Sequence, residues 1–226
     1  MEVAAYTMQS LSFRLGVIPV RLHPSFFLTT ALMNLGLLDR DLARLLVWMV
    51  IVFVSVLLHE VGHALAGLAF GLQPAIDLHG MGGTTSWTAT KRVSYGKHIV
   101  ISLAGPCMGL VAGALVIVAG SRLAIASDLG RWIASSLVYV NIVWGILNLL
   151  PMLPLDGGSV LLNILNMATH GRGARPAHVV SLVVAIVALF AAFWARSLWC
   201  GLLAVFFATS NWQWLEQDRR KPVGSR

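Results

Sequence analysis

The sequence predicts an all-α polytopic membrane protein of about six transmembrane helices, with a small membrane-associated β-hairpin or sheet. Three observations carry that prediction. Of 226 residues, 58% are hydrophobic and only 11% charged, with a mean hydropathy of +0.80. A water-soluble fold of this length cannot hide so much apolar surface. The apolar residues fall in separate runs, divided by short charged or turn-rich stretches. Between two of those runs, around a glycine cluster, apolar and polar residues alternate with the period of a strand.

The elements follow in order. Phe13 to Leu22 carries Val, Ile and turn residues suited to short strands. Pro24 opens a first apolar run, and the expected span is 24–38, short against the usual twenty residues or so. His23, beside that proline, reads as an interfacial or capping residue. Asp39, Arg40 and Asp41 form a charged turn before a second span, 42–72. The alternating stretch Ile76 to Trp87 reads as a β-hairpin turning at its glycines, with a plain loop as the other reading. The third span, 98–120, repeats Gly105, Gly109 and Gly113 every four residues, a close-packing face. The fourth, 132–150, runs into Pro151 and Pro154, which cannot continue a helix. Residues 159–169 suit a short amphipathic helix, and 170–176 a polar loop. Spans 179–195 and 198–214, separated only by Arg196 and Ser197, suit a tight helical hairpin. The expected organisation is one membrane domain, 1–215, and a charged tail, 216–226. Cys107 and Cys200 lie in apolar segments without metal-ligand spacing, and are expected to pack as buried small side chains.

The chemistry concentrates in the second span, where Leu45 to Leu58 contains no charged residue and leads into His59-Glu60-Val61-Gly62-His63. Residues four apart lie on one helix face, so His59 and His63 can offer two imidazole nitrogens to one ion. Glu60 is rotated about 100° from His59, off the coordination sphere but within reach of a water held there. Two neutral histidines suit zinc, and the carboxylate suits a general base. The bland alternative is a chance match, with both histidines bonded to neighbouring helices. Ionisable groups in an apolar helix are costly, which favours function. Asp156 sits in the proline break, and its apolar surroundings favour a third ligand over a turn or capping aspartate.

The scattered Lys and Arg, net charge +7, form no basic stripe, which argues against a nucleic-acid partner. They read instead as topology signals. With six crossings, eleven of the sixteen fall on the side of the N terminus and five (Arg40, Arg44, Arg122, Arg131, Arg196) on the other. That places both termini in the cytoplasm.

His59-Glu60-x-x-His63 in an apolar helix, followed by Asn148 and Leu155-Asp156-Gly157, resembles the site-2 protease family of intramembrane zinc metalloproteases. The Val20-Arg21-x-His23-Pro24 lead-in, the Gly82-Gly83 hairpin and Ala104-Gly105-Pro106 support the resemblance. It implies His59, His63 and Asp156 as ligands of one Zn2+ per chain, Glu60 as general base, and Asn148 as a contact to substrate or oxyanion. It implies that the hairpin residues Gly80, Gly82, Gly83, Thr84 and Thr85 offer an edge strand to an unwound substrate. Gly109 departs from the family, whose members often carry asparagine there, with an effect expected on packing. The form expected is a minimal one, without the PDZ or CBS domains of some relatives. The implied function is hydrolysis of a peptide bond in or near a transmembrane segment, in regulated intramembrane proteolysis. The implied partners are the lipid bilayer, a membrane-protein substrate such as a membrane-tethered transcription regulator or anti-sigma factor, and a regulatory membrane partner. The implied location is a prokaryotic cell membrane. The alternative is a divalent-metal (zinc) transporter, since intramembrane His and Asp also line ion paths. A transport path usually shows several polar stations, whereas this chain gathers its polar residues at one.

Overall fold

A computed structural model describes residues 10–37, 41–88, 93–122 and 127–220. Asp39 and Arg40 of the charged turn, Lys91, Arg92 and the end of the tail lie outside them. The described chain divides into two compact units. One comprises Met1–Arg92 with Ala104–Gly145, the other Val93–Leu103 with Ile146–Arg226.

The first unit begins with strands β1 (Leu11–Leu15) and β2 (Ile18–Leu22), joined at Gly16 in the left-handed region. Pro24 then starts helix α1 (Pro24–Leu32), where its missing N–H is harmless. Asp41 caps helix α2 (Leu42–Ala69) by accepting from the Arg44 amide at 2.9 Å. Strands β3 (Gln73–His79) and β4 (Gly82–Thr88) follow, so the expected hairpin is present, with Gly80 and Met81 as its turn. The four strands form one sheet in the order β1-β2-β3-β4, antiparallel except for the parallel β2–β3 pair. A parallel pair needs a crossover, and α1 with α2 provides it. The buried face of β2 and β3 (Ile18, Val20, Leu22, Ile76, Leu78) shares one core with Phe26, Leu45, Trp48, Ile51, Val52 and Val140. Trp48 ties α2 to α1 by donating its indole N–H to the Thr30 carbonyl at 3.1 Å.

Helix α3 (Tyr95–Arg122) runs through both units and passes Pro106 without ending. Helix α4 (Asp128–Val138) continues through a π-turn (Tyr139–Val143) into α5 (Trp144–Asn148). In the second unit, α6 (Asp156–Ala168), α7 (Ala174–Trp194) and α8 (Leu198–Arg220) follow. Buried Ala177, Ser181 and Ala185 recur every four residues along α7, the small-residue pattern of a close helix pair. The expected hairpin of α7 and α8 is therefore observed, reversing at Arg196 with a positive φ.

Among the described residues, four helices are long and apolar enough to cross a membrane: Leu42–Ala69, Tyr95–Ser121, Asp128–Asn148 and Ala174–Trp194. The chain is a membrane protein. The expected span at 24–38 is instead a nine-residue helix ending in a short 3-10 turn at Leu35–Leu37. Asn34 and Gly36 weaken the helix there. Helix α8 has the length to span but fills its last turns with Glu216, Gln217, Asp218, Arg219 and Arg220. That stretch, expected as tail, stays helical through Arg220, where a Glu216–Arg220 ion pair one turn apart supports it. Helix α7 starts at Ala174 rather than 179, because a first turn tolerates Pro176. Cys107 and Cys200 are exposed on their helices rather than buried.

Candidate metal centre

The local sequence of α2 brings the histidine pair together without help from elsewhere. His59 and His63 are one turn apart, and their Nε2 atoms approach to 3.1 Å, with the rings nearly perpendicular at 79°. Two nitrogens at zinc bond lengths of 2.0–2.1 Å in tetrahedral geometry would stand roughly 3.3 Å apart. The pair therefore fits a zinc ion through matching atoms. The space around those atoms is kept open. A Cβ on Gly105 of α3 would stand 2.5 Å from His63 Cε1, and closer still to Nε2. A Cβ on Gly62 would stand 2.6 Å from the Ala104 carbonyl oxygen, so α2 and α3 meet there backbone to backbone. The glycine at 105 is a cradle that any larger residue would fill.

Glu60 is buried, 5% exposed, in the same apolar helix. A carboxylate there is tolerable only if hydrogen-bonded. Thr85 of β4 donates its hydroxyl to Oε2 at 2.7 Å, the shorter of its two contacts to this residue. Gly83 leaves room for that carboxylate, since a Cβ there would fall 2.6 Å from Oε1. Trp87 reaches the same helix further along, with a ring atom 3.6 Å from where a Cβ on Gly67 would stand. Residues 83, 85 and 87 thus lie along α2 on one face of β4. The register gives them a second property. The two-residue turn closes on the pair His79–Gly82, so Gly82, Thr84, Ser86 and Thr88 point their backbone groups at β3. Gly83, Thr85 and Trp87 point theirs at the open edge.

The other hairpin residues have different partners. The Gly80 amide donates to Ser25 Oγ at 3.1 Å, and a Cβ on Gly80 would strike Thr29 Oγ1 at 2.8 Å. Gly82 has φ +119°, a conformation only glycine adopts readily. Thr84 Oγ1 lies 3.1 Å from His79 Nε2.

In the second unit, Asp156 is the first residue of α6, preceded by the irregular segment 149–155. Asn148 donates its amide to Asp156 Oδ2 at 2.9 Å. Asn148, expected to meet substrate, is thus also placed to orient the aspartate. Gly157 and Gly158 have no space for a Cβ: the segment before them wraps against their backbone, with Met152 and Leu153 touching Gly158.

Sequence reasoning grouped Thr85 with the substrate edge and missed its bond to Glu60. It also missed Asn141, which lies 5% exposed in the π-turn and donates to Ser55 Oγ and the Leu137 carbonyl, each at 2.9 Å. Ser55 is one turn before His59. The available signal was a polar amide inside an apolar span.

A family model described as peptidase family M50 matches residues 123–192. The solved site-2 protease from Methanocaldococcus jannaschii superposes with a TM-score of 0.66, covering 96% of this chain and 99% of that one, at 22% identity. A third of the chain thus resembles peptidase family M50, and its fold is that of a solved site-2 protease. A Synechocystis relative, provisionally named a zinc metalloprotease, is 32% identical over 160 residues, 65% of this chain and 41% of its own length. A zinc metalloprotease of Methanocaldococcus jannaschii is 27% identical over 156 residues, 68% of this chain and 44% of its own length. The chain thus matches less than half the length of these two curated relatives.

Proposed function

We propose that this chain is an intramembrane zinc metalloprotease that cleaves a peptide bond in or near a transmembrane segment. The observation that carries the reading is the paired His59 and His63 nitrogens beside a buried, hydrogen-bonded Glu60 in a membrane helix. His59, His63 and Asp156 would hold the ion, a donor set of two imidazoles and one carboxylate. When bound, zinc polarises the scissile carbonyl and makes a water acidic enough to attack near neutral pH. Glu60 accepts the water's proton and passes it to the leaving amine. Thr85 holds Oε2 during both transfers. Asn148 orients Asp156 and contacts substrate or the developing oxyanion.

A membrane helix keeps its carbonyls bonded, so the substrate must unwind locally before attack. The Gly80–Thr85 hairpin supplies the replacement partners by strand addition. The outward backbone groups of Gly83, Thr85 and Trp87 are the ones available to it. The substrate class is a membrane protein with a transmembrane helix, such as a membrane-tethered transcription regulator or anti-sigma factor, in regulated intramembrane proteolysis. Residues 1–215 act as one protease domain. Cytoplasmic termini in a prokaryotic cell membrane follow from the six-crossing reading of the Lys and Arg; the eleven-to-five count requires a crossing at 24–38. Metal transport is not favoured, because the family match and both curated relatives are peptidases.

The test is cleavage of a membrane peptide in liposomes by the parent and by Glu60→Gln. The variant keeps the shape but cannot accept a proton, so turnover should fall by roughly 10²–10⁴-fold with zinc retained. Unchanged cleavage would remove Glu60 from the mechanism.

A further inference from the structure

The segment that delivers Asp156 is gripped from outside at Leu153. Its amide donates to Ser181 Oγ of α7 at 2.9 Å, and its carbonyl accepts from Asn211 Nδ2 of α8 at 2.7 Å. Both side chains are buried, at 0% and 1% exposed, Ser181 within the apolar run of α7 and Asn211 in the more polar second half of α8. Buried polar groups are costly unless satisfied, and these are satisfied completely. The Ser181 hydroxyl gives its proton to the Ala177 carbonyl at 2.8 Å, which leaves a lone pair for the Leu153 amide. Asn211 Nδ2 also donates to Phe207 O at 2.8 Å, and its Oδ1 lies 2.7 Å from His178 Nδ1. Since an amide oxygen only accepts, His178 carries its proton on Nδ1 and fixes the orientation of Asn211. The His178 ring is itself stacked on Trp214 at 3.9 Å and 13°.

We infer that the α7–α8 hairpin is a positioning device for the metal ligand, with Ser181 and Asn211 as positioning residues for Asp156. Leu153 is three residues before Asp156, and the intervening turn is closed by the Leu155 amide bonding Met152 O at 2.8 Å. Gly158 clasps the same stretch from the other side, because only a glycine lets Leu153 and Met152 approach so closely. Releasing Leu153 would free both backbone groups that the hairpin grips through Ser181 and Asn211. The carboxylate would then sample positions outside the narrow tolerance of a metal bond. Partners that orient a ligand without touching the metal typically contribute about 10–100-fold to affinity. The inference rests on the ligand role proposed for Asp156.

The experiment measures zinc affinity of the purified full-length chain by competition with a chelator, together with thermal unfolding of the zinc-free form. Ser181→Ala and Asn211→Leu should each weaken zinc by about tenfold or more. Ala185→Gly, at a fully buried position one turn beyond Ser181, is the comparison for hairpin packing alone. It should lower the melting temperature and leave zinc affinity within twofold of the parent. If Asn211→Leu does not fold, Ser181→Ala decides. Parental affinity in Ser181→Ala, or a loss no larger than that of Ala185→Gly, overturns the inference. Asp156→Ala separates the two claims. If it keeps parental zinc affinity, the ligand assignment falls and this inference with it. If it loses zinc while Ser181→Ala does not, only the present inference falls.

Discussion

Replacing Gly105 by alanine should abolish tight zinc binding while leaving the fold largely intact. The added Cβ would stand 2.5 Å from His63 Cε1, against an ordinary contact of at least 3.4 Å. The imidazole must therefore retreat by about 0.9 Å. Metal–ligand distances tolerate only about 0.2 Å, so the retreat removes Nε2 from any position that His59 could share with it. The clash is with a side chain, which can turn away, so the cost falls on zinc rather than on stability. A loss of about 100-fold in zinc affinity, equivalent to roughly 2.7 kcal/mol, is expected. Gly109→Ala provides the comparison on the same helix. Its Cβ would meet the Asn141 carbonyl oxygen at 3.4 Å, an ordinary contact, and zinc binding should be nearly unchanged. Chelator competition on the three purified proteins measures the effect. Gly105→Ala binding zinc within threefold of the parent would refute the cradle argument.

Two further predictions concern β4. Thr85→Val removes the hydroxyl bonded to Glu60 Oε2, and a bond to a charged group contributes about 1.5–3 kcal/mol. The turnover number should drop about 10–100-fold with KM little changed, and Thr85→Ser should restore most of it; equal rates for Val and Ser would show that the hydroxyl does not position the base. Thr85→Pro loses the hydroxyl and also the outward backbone donor, whereas Thr85→Ala loses only the hydroxyl. If the substrate adds as a strand, proline should cost at least about tenfold more than alanine with zinc retained. Equal cleavage rates for the two variants would show that this edge does not bind substrate.

The legible parts of this molecule were those set by local spacing. His59 and His63 follow from helical periodicity, and the hairpin from alternation around Gly80, Gly82 and Gly83. A helix after the proline break follows from the sequence as 159–169, although it starts three residues earlier, at Asp156. What could not be read was pairing between distant segments. The parallel register of β2 with β3, Val20 opposite Ile76, joins residues separated by two helices, and no local pattern records it. The hydroxyl of Thr85 has a polar position in either reading of the strand; only the packing of β4 on α2 turns it toward Glu60. Ser181 is a polar residue in an apolar helix and Asn211 one of several in α8, but their shared partner is a backbone, which carries no sequence signature. The first apolar run differs from the expected span because composition alone does not separate a short helix, packed on one side through Phe26 against Phe53, from a span.

The central claim is that His59, His63 and Asp156 together hold one zinc ion in this chain. Metal analysis of the full-length protein, purified without added zinc, tests it most directly, with the His59/His63/Asp156 triple alanine variant measured alongside. The account predicts about one zinc per chain in the parent and a negligible amount in the variant. Full zinc occupancy in the triple variant would contradict it.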